Sequence, residues 1–279
     1  MIDLIKIELY KIFKKWRTYI GFIALGILIP LIHFAMVLEG ERTINFMTRN
    51  IQESFVFVGK LLNTYLISYI ILTSLAVHIP FLITLVAGDL LAGEATAGRY
   101  RMLLTRPISR TKLIIVKFIA GVIYSNIIVF WLAFLSLVLG YFIFGVGELL
   151  IIDGQMIVIF EKNDVLWRFL LAYGFAALGM TTVASLAFLF SSLVENAIGP
   201  IISTMAIIIV FVILSAIQVE FFQNIKHYFF TTHIMSWRLF FDEPIDIKEI
   251  LNSAGILILH IFIFFSLTLI IFNKKDILT

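Results

Sequence analysis

The chain has 279 residues, of which 61% are hydrophobic and 14% charged, with a mean hydropathy of +1.07 and a formal charge of +3. Soluble domains are about 45–50% apolar and about 25% charged, so the composition excludes an ordinary soluble domain, and no nucleic acid is expected as a partner. With no cysteine, disulfides and thiolate metal sites are excluded as well.

The leader, residues 1–17, carries Lys6, Lys11, Lys14, Lys15 and Arg17, with Ile5, Leu9, Ile12 and Trp16 on one helical face. That pattern predicts an amphipathic helix lying at the membrane interface, with Trp16 as an interfacial anchor. The apolar run that follows is too long for a cleaved signal and lacks an A-x-A site, so it reads as a retained span. A span needs about 20 mostly apolar residues. Six such runs occur, at about 18–38, 61–90, 118–144, 167–193, 198–218 and 251–272. Open strands cannot satisfy their backbone in lipid, and barrel strands would alternate over about ten residues, so the expected fold is an all-α integral membrane bundle. Between the second and third spans, residues 94–106 divide Ala97, Tyr100, Leu103 and Leu104 from Glu94, Gly98, Arg99, Arg101 and Arg106, as a short surface helix would. Pro107 stops it, and Ser109 can cap the next helix, which starts with Arg110 and Lys112. Lys117 then stands at the membrane interface. The other connections, 39–60, 145–166, 194–197 and 219–250, are too short for a further folded domain. The last long one holds many aromatics, Trp237 among them, which reads either as an interfacial belt or as a rim for an amphipathic substrate. No internal repeat is visible, so 1–279 is one transmembrane domain.

Six spans put both termini on one side. Residues 1–17, 89–117 and 194–197 and the tail hold thirteen of the 21 Lys and Arg and six of the 18 acids, a net +7 against −4 for the opposite connections. By the positive-inside rule the termini are cytoplasmic, in a multi-pass protein of the cell membrane.

Several chemistries are missing from the sequence. A P-loop requires G-x-x-x-x-G-K-[ST], but the only Gly-Lys pair, Gly59-Lys60, has Ser54 at the first glycine position and Leu61 after the lysine. His33, His78, His227, His233 and His260 never form H-E-x-x-H, and G-x-S-x-G does not occur. No catalytic residue, metal or bound cofactor is therefore expected. The span centres hold almost no ionisable groups beyond His78 and His260, which disfavours ion-coupled carriage.

The cations of the 94–117 stretch have two readings. They anchor the loop to anionic lipid, at about 1 kcal/mol each near the surface, or they dock a protein, a reading that also accounts for Glu94, Gly98 and the Pro-bounded helix. The pattern Glu94…Gly98…Leu103-Leu104…Arg106-Pro107-Ile108-Ser109-Arg110…Lys117 resembles the cytoplasmic signature of ABC-2 type transporter permeases. The leader, the six spans and the tail Phe272-Asn273-Lys274-Lys275-Asp276-Ile277 agree with it, whereas Arg99-Tyr100 replaces the usual Thr-Leu. The resemblance implies a permease subunit, working as a dimer with a second copy or a paralogue. Its transport, most often export, is driven by ATP and Mg on a separate ATP-binding-cassette subunit. It further implies that this subunit docks on a coupling helix through Glu94, Gly98, Arg101, Arg106, Pro107 and Arg110. A non-transport membrane protein, such as an immunity or sensor-anchoring subunit, and an ion-gradient-driven carrier are the alternatives.

Overall fold

The computed structural model describes residues 1–52, 60–96, 98, 109–153 and 156–275. Helices dominate, and among the described residues five are long and apolar enough to cross a membrane, or six if one bent pair counts as a single span. The leader forms α1 (Ile2–Lys14). An extended Lys15 separates it from α2 (Trp16–Gln52), 37 residues long. At about 1.5 Å per residue α2 reaches about 55 Å, well beyond a hydrocarbon core about 30 Å thick. The expected end at residue 38 is where hydropathy falls. The helix itself continues because nothing after Gly40 breaks it.

The second span is not one helix. Asn63 caps α3 (Thr64–Leu75) by accepting from the amides of Tyr65 and Leu66, at 3.0 and 3.2 Å. Pro80, lacking an amide hydrogen, sits in the first turn of α4 (Ile79–Ala87), and the pair bends by 55° between them. After Gly88 comes α5 (Asp89–Thr96). Gly98, at φ +63°, turns the chain out of the helix and donates to the Ala95 carbonyl at 2.9 Å. The helix expected to begin at residue 94 begins instead at Asp89, and the rest of the expected 94–106 element, Gly98 apart, lies outside the described residues beyond Thr96.

The third span begins at α6 (Arg110–Phe134), which Ser109 caps by accepting from the Lys112 amide at 3.3 Å. A π-helical turn, Leu135–Leu139, carries it into α7 (Gly140–Phe144). The Ser136 carbonyl at this widened turn accepts from the Ser68 hydroxyl at 3.1 Å, and the Ser136 hydroxyl lies 2.6 Å from that of Tyr173. Gly145, at φ +71°, ends the helix. The following connection, expected only to be too short for a further domain, contains an antiparallel hairpin of β1 (Leu149–Asp153) and β2 (Met156–Phe160), with Leu149 opposite Phe160 and Asp153 opposite Met156.

The centre of the bundle is α8 (Lys162–Leu193), buried on nearly every face. Ala172, Ala176, Gly179, Ala184 and Ala187 let its neighbours come close. It packs against α4, α5, α6, α9 (Ile198–Ala216) and α12 (Ile247–Lys274). Between the last two run the short helices α10 (Glu220–Ile225) and α11 (Phe230–Ile234), each followed by a 3-10 turn. α9 and α12 keep most of their apolar surface outward, as lipid-facing helices do.

Contacts assign the ends of the bundle. Arg110 reaches the carbonyls of Asn273 and Lys275, Thr96 reaches that of Glu195, and α1 lies on α6, so both termini gather at one end with α5. At the opposite end Asn63 donates to the Glu148 carbonyl at 2.6 Å, next to the hairpin. There Arg168 binds Asp164, Glu243 and the carbonyls of Phe240 and Asp242.

Candidate functional site

The charges of the terminal end converge on one lysine. Lys117, two turns into α6, is 1% exposed, and its ammonium lies 2.7 Å from Glu94 Oε1 and 2.8 Å from Glu8 Oε2. Lys11 reaches Glu8 Oε1 at 2.5 Å and Glu94 Oε1 at 3.5 Å from the half-exposed side of α1. Two ammonium groups and two carboxylates therefore form a closed, charge-balanced cluster joining α1, α5 and α6. Each charge taken out of water here needs its partners, because an unpaired ion in a low-dielectric site costs several kcal/mol. Burial alone would raise the Glu8 carboxyl, but the charge of Lys117 and hydrogen bonds from Lys11 and Lys117 outweigh it and hold Glu8 below its ordinary 4.5.

The same end has a second cluster. Asp89, the first residue of α5, accepts from Lys15 at 2.6 Å and from Arg17 at 3.2 Å. The Ser191 hydroxyl accepts from the amides of Leu91 and Ala92 and donates to the Gly88 carbonyl, so a side chain of α8 caps α5. Thr18 closes the α1–α2 corner by donating to the Ile12 carbonyl, and Tyr124 of α6 donates to the Thr18 carbonyl at 3.2 Å. α5 is thus bonded to the leader, to α6 and to the end of α8.

The sequence-selected residues fare unequally. Glu94 is buried in the cluster. Gly98 has no described atom within 4 Å of where a Cβ would stand, so its positive φ, not a close approach, is what calls for glycine. Arg110 spends its guanidinium on the tail carbonyls. Arg101, Arg106 and Pro107 lie outside the described residues. Trp16 is 73% exposed at the start of α2, where an interfacial anchor belongs. Two placements are corrected. Lys117 is inside the protein, because Glu8 and Glu94 offer it closer partners than lipid phosphates. Trp237 is 1% exposed, packed against Tyr69 and Phe241, and its indole Nε1 has no hydrogen-bond partner among the described residues. The aromatic stretch is therefore split, with Phe230, Trp237 and Phe241 capping the core while Phe221 and Tyr228 stay exposed.

Sequence reasoning read Lys11, Lys15 and Arg17 only as leader cations and gave no site role to Glu8, Asp89 or Ser191. The available signal was a carboxylate in each of two basic, otherwise apolar neighbourhoods. Among the described residues no group of His, Asp and Glu is arranged to hold a metal ion. His33, His78 and His260 each bond the carbonyl four residues earlier in their own chain, as packing histidines do.

No curated protein matches the chain. Residues 20–278 match the model of a family described as "Protein of unknown function (DUF2705)", and the chain belongs to that family.

Proposed function

We propose that the chain is the permease subunit of an ATP-binding-cassette exporter in the cell membrane, both termini cytoplasmic. It works as a dimer with a second copy or a paralogue, and a separate ATPase subunit docks on residues 94–110. The chain performs no ATP chemistry itself. The observation that carries this reading is the buried 2.7 Å pair between Glu94 and Lys117, the first and last residues of the stretch that resembles the ABC-2 permease signature. With its base closed in this way, the 94–117 segment is a lever tied to the leader, to the second span and to the third. A partner that binds one position of the segment better than another shifts the bundle between two arrangements, and it can shift them only by that difference in affinity. The small number of charges in the span centres suits an apolar or amphipathic cargo.

The test is purification with an ATP-binding-cassette ATPase drawn from the genes that neighbour this one. Reversing Arg101 and Arg106 together to Glu is expected to abolish co-purification and permease-dependent ATP turnover. If both survive, the docking assignment is wrong.

A further inference from the structure

Two open cavities flank Lys15 at the corner where α1 meets α2. One, of about 420 Å³, is lined by Lys11, Lys14 and Lys15 of the leader together with Glu8, Glu94 and Lys117. The other, of about 410 Å³, is lined by Lys15, Trp16, Arg17 and Asp89. The charges do not balance evenly over this corner. Lys11 and Lys117 are matched by Glu8 and Glu94. Lys15 and Arg17 share the single carboxylate of Asp89, and Lys14 has no acidic partner among the described residues. The surplus positive charge therefore sits on Lys14, Lys15 and Arg17, beside Trp16 and Tyr10, which are 73% and 69% exposed.

We infer that this corner binds the headgroup of an anionic phospholipid. The phosphate faces the Lys14–Lys15–Arg17 surplus, and the glycerol and upper acyl region lie along the Trp16 ring. Three observations carry the assignment. Among the described residues the cations of this corner outnumber their carboxylate partners. The cavities are open and of the size that takes a small polar group. The site also stands at the first residue of a membrane-spanning helix, next to an exposed tryptophan, and so at headgroup depth. A bound headgroup would hold α1 in place from outside as the Lys117 cluster holds it from inside. The inference does not depend on the transporter reading, since it concerns the leader and lipid alone.

The test uses the full chain in detergent, stripped of lipid, with quenching of Trp16 by bromo-acyl lipids read as the difference from a Trp16→Phe variant. Brominated phosphatidylglycerol is expected to quench at lower mole fraction than brominated phosphatidylcholine. Lys14→Gln should weaken the phosphatidylglycerol response about fivefold, in line with one juxtamembrane charge, whereas Lys6→Gln, the same charge change away from both cavities, should leave it in place. Equal quenching by the two lipids overturns the proposal, and so does equal weakening by the two variants, which would mean diffuse attraction. Titration with glycerol 3-phosphate separates the sources. If it competes at millimolar concentration, the ligand is a soluble phosphate and the lipid assignment fails.

Discussion

Replacing Lys117 with Met removes the one fully buried cation from the cluster that joins α1, α5 and α6. Glu8 and Glu94 would then share Lys11, which is 2.5 Å from the first and 3.5 Å from the second and stands at the half-exposed rim. Breaking a buried pair from one side costs about 3–5 kcal/mol, and the surviving lysine argues for the lower end, about 3 kcal/mol. Because α1 contributes only Glu8 and Lys11 to the cluster, that energy falls mainly on its docking. Its amides should exchange with solvent about a hundredfold faster, by the rule of 1.4 kcal/mol per factor of ten. Hydrogen exchange over Ile2–Lys14 reads this directly, with Ile247–Lys274 as the internal control that global unfolding would also move. Adding Glu8→Gln to the Lys117 variant leaves Glu94 with Lys11, a balanced pair, and should restore most of the protection. The pH dependence has a definite sign. Because the folded Glu8 carboxyl is held below 4.5, its contribution is fully present above that value and is lost as pH falls further, through the folded pKa. Unchanged exchange in the Lys117 variant, or no recovery in the double variant, would refute the idea that charge pairing docks the leader.

Two further substitutions probe the opposite end. Trp237→Phe keeps the buried ring and removes an indole N–H that has no partner among the described residues, so thermal stability should change by less than about 1 kcal/mol, against about 3–5 for Trp237→Ala; equal, small effects of both would mark an exposed interfacial ring instead. Arg168→Lys cannot hold Asp164, Glu243 and the Phe240 and Asp242 carbonyls together. With both carboxylates well exposed the loss centres on the two carbonyls and comes to about 2 kcal/mol, and limited proteolysis should show earlier cutting near residues 235–245.

Hydropathy located the membrane crossings because burial in lipid is a property of each run by itself. It could not locate helix ends, since α2 continues through the polar residues 39–52 once it has left the hydrocarbon. The hairpin was legible in principle. LLIID and MIVIF are apolar runs holding five Ile and Val between them and separated by two residues, Gly154-Gln155, a Gly-X spacer of hairpin length, but in a chain read as spans and connections they fall inside a connection. Trp237 shows a different limit. Composition cannot distinguish an aromatic belt from aromatics folded back onto the core, because both place the same residues beside a span end. The leader illustrates the largest gap. Its amphipathic face was visible, yet Glu8 and Lys117 are 109 positions apart, and nothing local to either residue names the other.

That distance bears on the Glu94…Lys117 pattern itself. A carboxylate and an amine separated by 23 positions look like unrelated ends of a loop, and a loop rich in cations would solvate both. Each becomes necessary once they are buried together, because removing either leaves the four-charge cluster with one ion unbalanced. Arg110 and the tail add a second closure, since the guanidinium holds the carbonyls of Asn273 and Lys275 against the start of α6. The ends of the segment are therefore fixed by the chain's own contacts, Glu94 and Lys117 by each other and Arg110 by the tail.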